Sequence, residues 1–328
     1  MRDKKVRLIG SLVPAAAASL AALLLSALPA LGQDRVDETV TRPVVSEATS
    51  PLEPIAPVAQ DGHRGEGFLR KPPGAGPFPA VVWIHGGLTT LPTERLKEYA
   101  LHRPPPSRFL AAGYVVAVIT YRSRDDDPQS TVSREDSVAA VDYLRQLPYV
   151  DPDSIVIYGC SGGGDLALEV AASTDVAAIV AEEPASMLFT GIFNREFPKQ
   201  GERFSPRDAA PISADPERYY TAEYQKLTRE KISRIRCPIL IVQGDETSNL
   251  NRFNAQVLIP ELRSAGTTLE VVTFPGEPHC FAFDHRGQAT SPAVALKAVQ
   301  AADAFFRRHL NTQPKPIDAS LVENVPVN

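Results

Sequence analysis

Six short apolar runs recur along the chain between residues 80 and 272, and turn-forming residues separate them from their neighbours. Each run is four to six residues long and rich in Val, Ile and Ala, a pattern typical of strands buried on both faces of a sheet. The runs cover residues 80–84, 114–119, 155–158, 177–181, 239–242 and 269–272. They predict the core strands of a mostly parallel sheet.

Segments with apolar residues at helical spacing lie between these runs. One is predicted to begin at Ser133, because Asp136 follows at the spacing of a capping box. Further helices are predicted over residues 163–172, 252–265 and 292–310. Alternating strands and helices imply right-handed crossovers, with helices covering both faces of the sheet. We therefore predict one α/β domain over residues 63–311.

About fifty residues between two predicted strands break this alternation. Residues 187–236 carry aromatic and charged side chains instead of a buried strand. Open α/β sheets bind ligands at the carboxyl ends of their strands. We interpret this segment as a lid-like insertion over that edge.

The two ends of the chain differ in composition from the predicted domain. Four basic residues precede an uncharged stretch rich in Ala and Leu, which closes on the small residues of Ala30-Leu31-Gly32. This pattern predicts a signal peptide over residues 1–32 and an exported protein, periplasmic or secreted; the alternative is an N-terminal membrane anchor. Residues 33–62 are rich in Pro, Glu, Ser and Thr and predict a flexible arm. Residues 312–328 form a C-terminal tail.

Charge and cysteine content exclude several classes of function. The net charge is -5, from 34 basic and 39 acidic residues, and no basic block is present, so a nucleic-acid partner is not expected. The histidines and cysteines lack metal-ligand spacing, so no metal site is predicted. Cys160, Cys237 and Cys280 are an odd number; one pair can form, but we expect buried thiols.

The segment GCSGG at 159–163 directly follows the predicted strand 155–158 and opens a predicted helix. A G-x-S-x-G sequence in this context is typical of a sharp strand-to-helix turn that exposes its central serine. Ser161 is thus the predicted nucleophile. Cys160 precedes the centre of the turn, so its side chain is expected to point elsewhere.

A serine hydroxyl needs a base within hydrogen-bond reach to act as a nucleophile. His279 lies in the loop after the last predicted strand and is the predicted base. Gly86 and Gly87 follow the strand 80–84, where their backbone N–H groups can approach a substrate oxygen. Together with Gly162 they are the predicted oxyanion hole.

Five segments resemble the α/β-hydrolase superfamily, in particular its dienelactone hydrolase and prolyl oligopeptidase catalytic-domain branches. They are GPFPAVVWIHGG (76–87), YRSRDDD (121–127), GCSGGG (159–164), CPILIVQGD (237–245) and FPGEPHCF (274–281). The resemblance covers residues 65–310 and implies the α/β-hydrolase fold with a Ser-acid-His triad. Dienelactone hydrolases carry cysteine where this chain has Ser161. The residues before the domain are also too few for the propeller of the oligopeptidases.

The acid is the part of the triad that departs from both branches. The position three residues after Gly244, where the acid usually stands, is Thr247. Asp245 in the same loop is the preferred candidate, followed by Glu246. The pair Glu182 and Glu183, after the preceding strand, offers the other site used in this superfamily.

These observations predict an exported serine hydrolase, most simply a carboxylic-ester hydrolase that forms an acyl-enzyme without a cofactor. Its expected partner is a small-molecule ester or short peptide, with no stable membrane insertion after signal cleavage. One alternative is a small serine peptidase of the prolyl oligopeptidase type. Its substrate anchors would come from charged residues of the insertion, namely Arg195, Glu202, Arg203 and Arg207. The other alternative is a catalytically inactive binding protein with this fold.

Overall fold

The computed structural model describes residues 49–124, 130–192, 206–246, 248–282 and 292–317, and its strands form one eight-stranded sheet. The strands are β1 (Glu53–Ile55), β2 (Gly67–Arg70), β3 (Phe78–Ile84), β4 (Val115–Ile119), β5 (Val150–Cys160), β6 (Ala178–Glu182), β7 (Ile239–Gln243) and β8 (Leu269–Thr273). Their spatial order is β1-β2-β4-β3-β5-β6-β7-β8. Strands β3 to β8 pair in parallel, which confirms the mostly parallel sheet, and all six predicted runs are strands.

Helices connect the parallel strands. They are α1 (Thr93–His102), α2 (Pro104–Ala112), α3 (Thr131–Arg145), α4 (Gly162–Ala171), α5 (Pro206–Ala214), α6 (Pro216–Tyr219), α7 (Ala222–Ile232), α8 (Asn249–Phe253), α9 (Ile259–Ser264) and α10 (Pro292–Arg307), with a π-helical turn (Asn254–Leu258) between α8 and α9. Helices α1 and α2 were not predicted. The prolines at 104, 105 and 106 lie in the first turn of α2, where a missing N–H costs no helical hydrogen bond.

The core consists of two hydrophobic layers, one on each face of the sheet. On one face Val82 and Ile84 of β3 pack among residues of α3, α4 and α9. On the other face Val81 and Trp83 pack among residues of α1, α2 and α10. Alternate residues of a strand point to opposite faces. An apolar residue is therefore needed at every position of β3, which explains why its run is continuous.

The described part of the predicted flexible arm is ordered and belongs to the sheet. Strand β1 pairs antiparallel with β2, and the side chain of Ile55 is buried. Arg70 of β2 donates hydrogen bonds from Nε and Nη2 to the carbonyl oxygen of Ser50, at 3.1 and 3.0 Å. A Pro-rich segment is compatible with an edge strand, because one side of an edge strand needs no ladder partner. Residues 49–62 thus differ from the composition-based prediction, and residues 33–48 lie outside the described part of the chain.

The start of α3 also differs from the prediction. The helix begins at Thr131, so Ser133 lies inside its first turn and forms no capping box. The carboxylate of Asp136 instead accepts hydrogen bonds from the backbone N–H and the guanidinium of Arg122. Arg122 follows β4, and a tertiary partner of this kind is not visible in helical spacing alone.

The described part of the insertion 187–236 contains α5, α6 and α7. It packs on the α8 segment through a separate hydrophobic cluster that includes Met187, Ile212, Tyr224 and Phe253. Residues 193–205 lie outside the described residues. The role of the insertion as a lid therefore stays a prediction.

The chain ends are described only in part. The described part of the tail reaches Ile317, which is buried and donates its N–H to Asp303 Oδ2 at 3.1 Å. The predicted signal peptide, 1–32, and residues 318–328 lie outside the described residues. Within the described residues, no helix combines the length and the apolar character that crossing a bilayer requires.

If β1 is part of the folded domain, Ile55→Ala will lower the free energy of unfolding by about 2 kcal/mol, because it leaves a cavity in the hydrophobic cluster that contains Ile55. Urea denaturation measures this change. Val58→Ala is the matched control, because Val58 is 55% exposed, and a change within about 0.5 kcal/mol is expected there. Equal effects of the two substitutions would show that residues 49–62 do not contribute to the core.

Candidate active site

Ser161 lies at the tip of a sharp turn between β5 and α4. Its φ and ψ are 54° and -116°, a backbone conformation that non-glycine residues rarely adopt. Three backbone hydrogen bonds hold the turn: Ser161 N–H donates to the Glu182 carbonyl oxygen at 2.9 Å, and the Ser161 carbonyl oxygen accepts from Asp165 and Ala185 at 3.0 Å. Ser161 is only partly buried, in agreement with an exposed position for the predicted nucleophile.

Two glycines of the turn are required because other backbone segments approach them closely. A Cβ atom at Gly163 would collide with the carbonyl oxygens of Ile84 and His85, and one at Gly162 would collide with the carbonyl oxygen of Gly87. The turn therefore packs directly on the loop after β3. The small-residue sequence around Ser161 thus reflects both the bend and this backbone contact.

His279 lies in the loop after β8, next to Glu183. Its Nδ1 is 2.8 Å from Oε2 of Glu183, whose side chain is fully buried, whereas the His279 side chain is 40% exposed. Glu183 directly follows β6 and has a φ of 43°, another rare conformation for a non-glycine residue. The contact fixes the imidazole so that Nδ1 faces the carboxylate and Nε2 lies on the opposite side of the ring.

The Glu183 carboxylate accepts hydrogen bonds from several elements. Oε1 accepts from the Gly244 N–H at 3.0 Å and from Asn251 Nδ2 at 2.7 Å, and Oε2 also accepts from the Cys280 N–H. Burial by itself raises the pKa of Glu183, but the hydrogen bonds from His279, Asn251 and Gly244 outweigh it and hold the pKa below its ordinary value. The carboxylate is therefore ionised at neutral pH. Asn251 is a site residue that sequence reasoning missed, because it stands on a helix without a recognisable motif.

The other candidates for the acid lie elsewhere. Asp245, the preferred one, accepts a hydrogen bond from the Gly276 N–H at 3.0 Å, so it supports the backbone of the histidine loop, whereas Glu183 holds the imidazole. Glu246 is exposed. Glu182 is buried but accepts from Tyr158 Oη at 2.8 Å and from the Ala282 N–H at 2.9 Å. Thr247 lies outside the described residues.

The loop after β3 carries the predicted oxyanion glycines. Tyr121 Oη donates to the carbonyl oxygen of Gly87 at 2.7 Å, and His85 Nδ1 lies 2.7 Å from the carbonyl oxygen of Gly86. Because the two groups of a trans peptide point in opposite directions, holding the Gly86 carbonyl oxygen on one side directs the Gly87 N–H to the other. Gly86 also lies next to Ser161, since a Cβ on Gly86 would be 3.5 Å from that of Ser161. The geometry brings all three predicted oxyanion residues to the serine turn.

His85 supports this loop as a neutral side chain. Burial lowers its pKa to about 4, although the hydrogen bond to the Gly86 carbonyl opposes this shift. Thr120 Oγ1 accepts from the Leu91 N–H at 2.7 Å, so its hydroxyl proton is available for His85 Nε2, 3.1 Å away. His85 thus carries its proton on Nδ1 and is not a second candidate base.

A buried ion pair lies beneath the turn. Arg124 Nη2 and Asp165 Oδ2 are 2.7 Å apart, and both side chains are inaccessible to solvent. Arg124 also donates from Nη1 to the Gly162 carbonyl oxygen at 3.3 Å. Both terminal nitrogens of the guanidinium therefore hold the start of α4. The guanidinium is not available as an anchor for a substrate carboxylate.

A disulfide joins Cys160 to Cys280, with 6.1 Å between their Cα atoms. This differs from the buried thiols that the odd cysteine count favoured. Cys237 alone retains a thiol, and burial raises its pKa to about 12. The pairing was not predictable from spacing, because it depends on the loop after β8 returning to the end of β5. It places the chain neighbours of Ser161 and His279 against each other.

Among the described residues, one group of side chains has the proximity of a metal site. It consists of Glu183, His279 and Cys280. The sulfur of Cys280 is committed to the disulfide, and the facing atoms of Glu183 and His279 share a hydrogen bond. This donor set therefore does not fit a metal ion.

The sequence is similar to a known family and to several known hydrolases. The sequence model described as "Prolyl oligopeptidase family" matches residues 107–313. Human acyl-coenzyme A thioesterase 6 is 25% identical over 286 residues, 78% of this chain and 65% of the thioesterase. The uncharacterized peptidase YtmA of Bacillus subtilis (strain 168) is 24% identical over 229 residues, 67% of this chain and 83% of that protein.

A puromycin-hydrolyzing peptidase from Mycobacterium tuberculosis has a similar structure, with a TM-score of 0.61 at 20% identity. The match covers 82% of this chain and 41% of that peptidase. The chain thus spans less than two thirds of both the thioesterase and the mycobacterial peptidase. The likeness in structure confirms the predicted α/β-hydrolase fold.

Because the folded pKa of Glu183 lies below its ordinary value, its ionised form stabilises the fold at neutral pH, and this contribution is lost as the pH falls through the folded pKa. Glu183→Gln is expected to lower the free energy of unfolding at neutral pH, and its difference from wild type should shrink between about pH 5 and pH 3. Urea denaturation across this range tests this. Glu246→Gln, at an exposed position, is the control. A difference that stays constant with pH would contradict the assigned ionisation.

Proposed function

Because the chain belongs to the prolyl oligopeptidase family, we propose that it is a serine hydrolase that cleaves carboxylic esters through a triad of Ser161, His279 and Glu183. The observation that carries this proposal is the 2.8 Å contact between His279 Nδ1 and the buried Glu183 carboxylate, beside the serine turn. A buried, ionised carboxylate at this position selects the tautomer in which Nε2 can accept a proton.

In the proposed reaction, Ser161 Oγ attacks the acyl carbon of the ester while His279 Nε2 removes the hydroxyl proton. The charge that develops on the carbonyl oxygen is stabilised by backbone N–H groups at Gly87 and Gly162. His279 then protonates the leaving alkoxide, which leaves an acyl group on Ser161. A water molecule, activated by the same imidazole, releases the acid and restores the serine.

Two features of the site support an ester with an apolar acyl group. Leu88, next to the oxyanion loop, packs against the hydrophobic cluster that links the insertion to α8. Arg124, the buried cation beneath the turn, is consumed by Asp165 and cannot bind a peptide terminus. The thioesterase among the relatives supports cleavage of an acyl ester, whereas YtmA and the family support a peptidase as the second candidate. Of the predicted peptidase anchors, Arg195, Glu202 and Arg203 lie outside the described residues, as does the side chain of Arg207.

We also propose that the protein is exported, to the periplasm or the medium. The basic start and the apolar stretch of residues 1–32 support this location. The disulfide between Cys160 and Cys280 gives independent support, because such bonds persist mainly in oxidising compartments.

Ser161→Ala is expected to reduce the hydrolysis of p-nitrophenyl acetate and butyrate by at least about 10⁴-fold, because no other group takes the place of the nucleophile. A fluorophosphonate should label the wild type at Ser161 and leave the variant unlabelled. Aminoacyl p-nitroanilides are assayed in parallel. A higher kcat/KM for the anilides than for the esters would favour the peptidase. If the wild type shows neither labelling nor turnover, the hypothesis of a catalytically inactive binding protein is favoured.

Glu183→Gln and Asp245→Asn form a matched pair that identifies the acid. The glutamine is expected to lower kcat by about 10²- to 10⁴-fold, because it no longer stabilises the protonated imidazole. The asparagine should stay within about threefold of wild type, under 1 kcal/mol on the activation barrier, because its amide oxygen can still accept from the Gly276 N–H. Steady-state kinetics with one p-nitrophenyl ester compares them. The reverse ranking would assign the acid to Asp245.

A further inference from the structure

The disulfide joins two loops that start at separate places in the sheet. Cys160 ends β5 and directly precedes Ser161, whereas Cys280 directly follows His279 in the loop after β8. Strands β6 and β7 lie between β5 and β8, so the two strands are about 14 Å apart at the usual strand spacing. The histidine loop must therefore cross back over two strands before His279 reaches the serine turn.

The backbone of the loop is in an unfavourable conformation where it arrives. Cys280 has a φ of 59°, in the left-handed region that residues with a Cβ seldom occupy. Such conformations persist when several surrounding contacts determine them together. Here the contacts are the N–H of Cys280 on Glu183, the N–H of Ala282 on Glu182, and the disulfide itself.

The disulfide is the covalent member of this set of contacts. Cys160 is completely buried beneath the turn, so it provides a fixed attachment point. Cys280 is partly accessible, as are most residues of the loop that precede it. Each bonded cysteine is the chain neighbour of one proposed reacting residue: Cys160 of Ser161, and Cys280 of His279.

We propose that Cys160 and Cys280 are positioning residues of the hydrolase, whose disulfide sets the distance between Ser161 and His279. This inference rests on the proposed function. The bond holds the imidazole over the serine while Glu183 sets its rotation. Opening the bond lets the histidine loop relax toward β8, so proton transfer from Ser161 slows while the substrate still binds.

A dithiol such as dithiothreitol opens the bond by thiol–disulfide exchange. One thiolate attacks a protein sulfur to give a mixed disulfide, and the second thiol closes the ring of oxidised dithiothreitol. Two electrons and two protons pass to the protein, and two cysteine thiols result. The thiol count of the denatured protein therefore rises from one to three, because the chain has three cysteines.

The experiment compares oxidised, reduced and reoxidised wild type with the double variant Cys160→Ala/Cys280→Ala, at a temperature where circular dichroism shows folded protein. Reduction and the double variant are each expected to lower kcat by about 10- to 100-fold with KM within about twofold. Fluorophosphonate labelling of Ser161 should slow by a similar factor. Reoxidation should restore kcat in the wild type only.

Cys237→Ala is the matched control, because it removes a buried cysteine that is not in the disulfide. It should keep the kcat of the oxidised wild type and lose activity on reduction to the same extent. The proton NMR resonance of the hydrogen bond between His279 and Glu183 reports on the position of the imidazole. A change in global stability alone would not alter this resonance in the folded protein. The resonance should be present in the oxidised protein and broadened or lost in the folded, reduced protein.

Labelling of Ser161 in the oxidised protein tests the proposed function separately. If labelling occurs but the folded, reduced protein keeps wild-type kcat, the positioning role is refuted and the enzyme assignment stands. If the double variant does not fold, the reduced wild type decides. Activity lost only in step with unfolding would likewise refute a positioning role, because the bond would then serve the fold alone.

Discussion

The arrangement of this site depends on the burial of one ionised carboxylate. Glu183 is inaccessible to solvent, and a buried charge is tolerated only when donors replace the water that it has lost. Its donors come from the loop after β7, from α8 and from the loop after β8, at Gly244, Asn251, His279 and Cys280. Satisfying a single side chain thus brings three separate segments to the end of β6. The imidazole is one of those donors, so its placement follows from the same requirement.

A second constraint is the close contact between backbones at the serine turn. The start of α4 packs on the loop after β3 so tightly that side chains at Gly162 and Gly163 would collide with carbonyl oxygens. The same loop is held from the other side by Tyr121 and by a neutral His85. The proposed nucleophile and the proposed oxyanion donors therefore belong to one tight backbone contact. This explains how a serine in a strained conformation is maintained.

Three of the four described non-glycine residues with positive φ meet at this place: Ser161, Glu183 and Cys280. Each begins or ends a change of direction at the carboxyl edge of the sheet. The fourth, Ser130, contacts Arg124, whose ion pair with Asp165 lies under the turn. Strain in this molecule is thus concentrated around the site, where several hydrogen bonds, an ion pair and a disulfide offset it.

The sequence by itself determined the six core strands, the parallel sheet, the turn at Ser161 and the position of His279 after β8, because each depends on residues that are neighbours along the chain. A continuous apolar run or a G-x-S-x-G turn is a local property. The edge strand β1 was missed because its pairing with β2 outweighs a composition typical of flexible segments.

Only the tertiary structure decided which carboxylate meets the imidazole and which cysteines pair. Asp245 and Glu183 both follow strands that end at the same edge, and the path of the histidine loop selects between them, since it brings Gly276 to Asp245 and His279 to Glu183. Likewise, the spacing of 120 residues between Cys160 and Cys280 says nothing about their distance in space. These choices are set by the path of the loop after β8, which crosses two strands, and no local pattern in the sequence encodes that path.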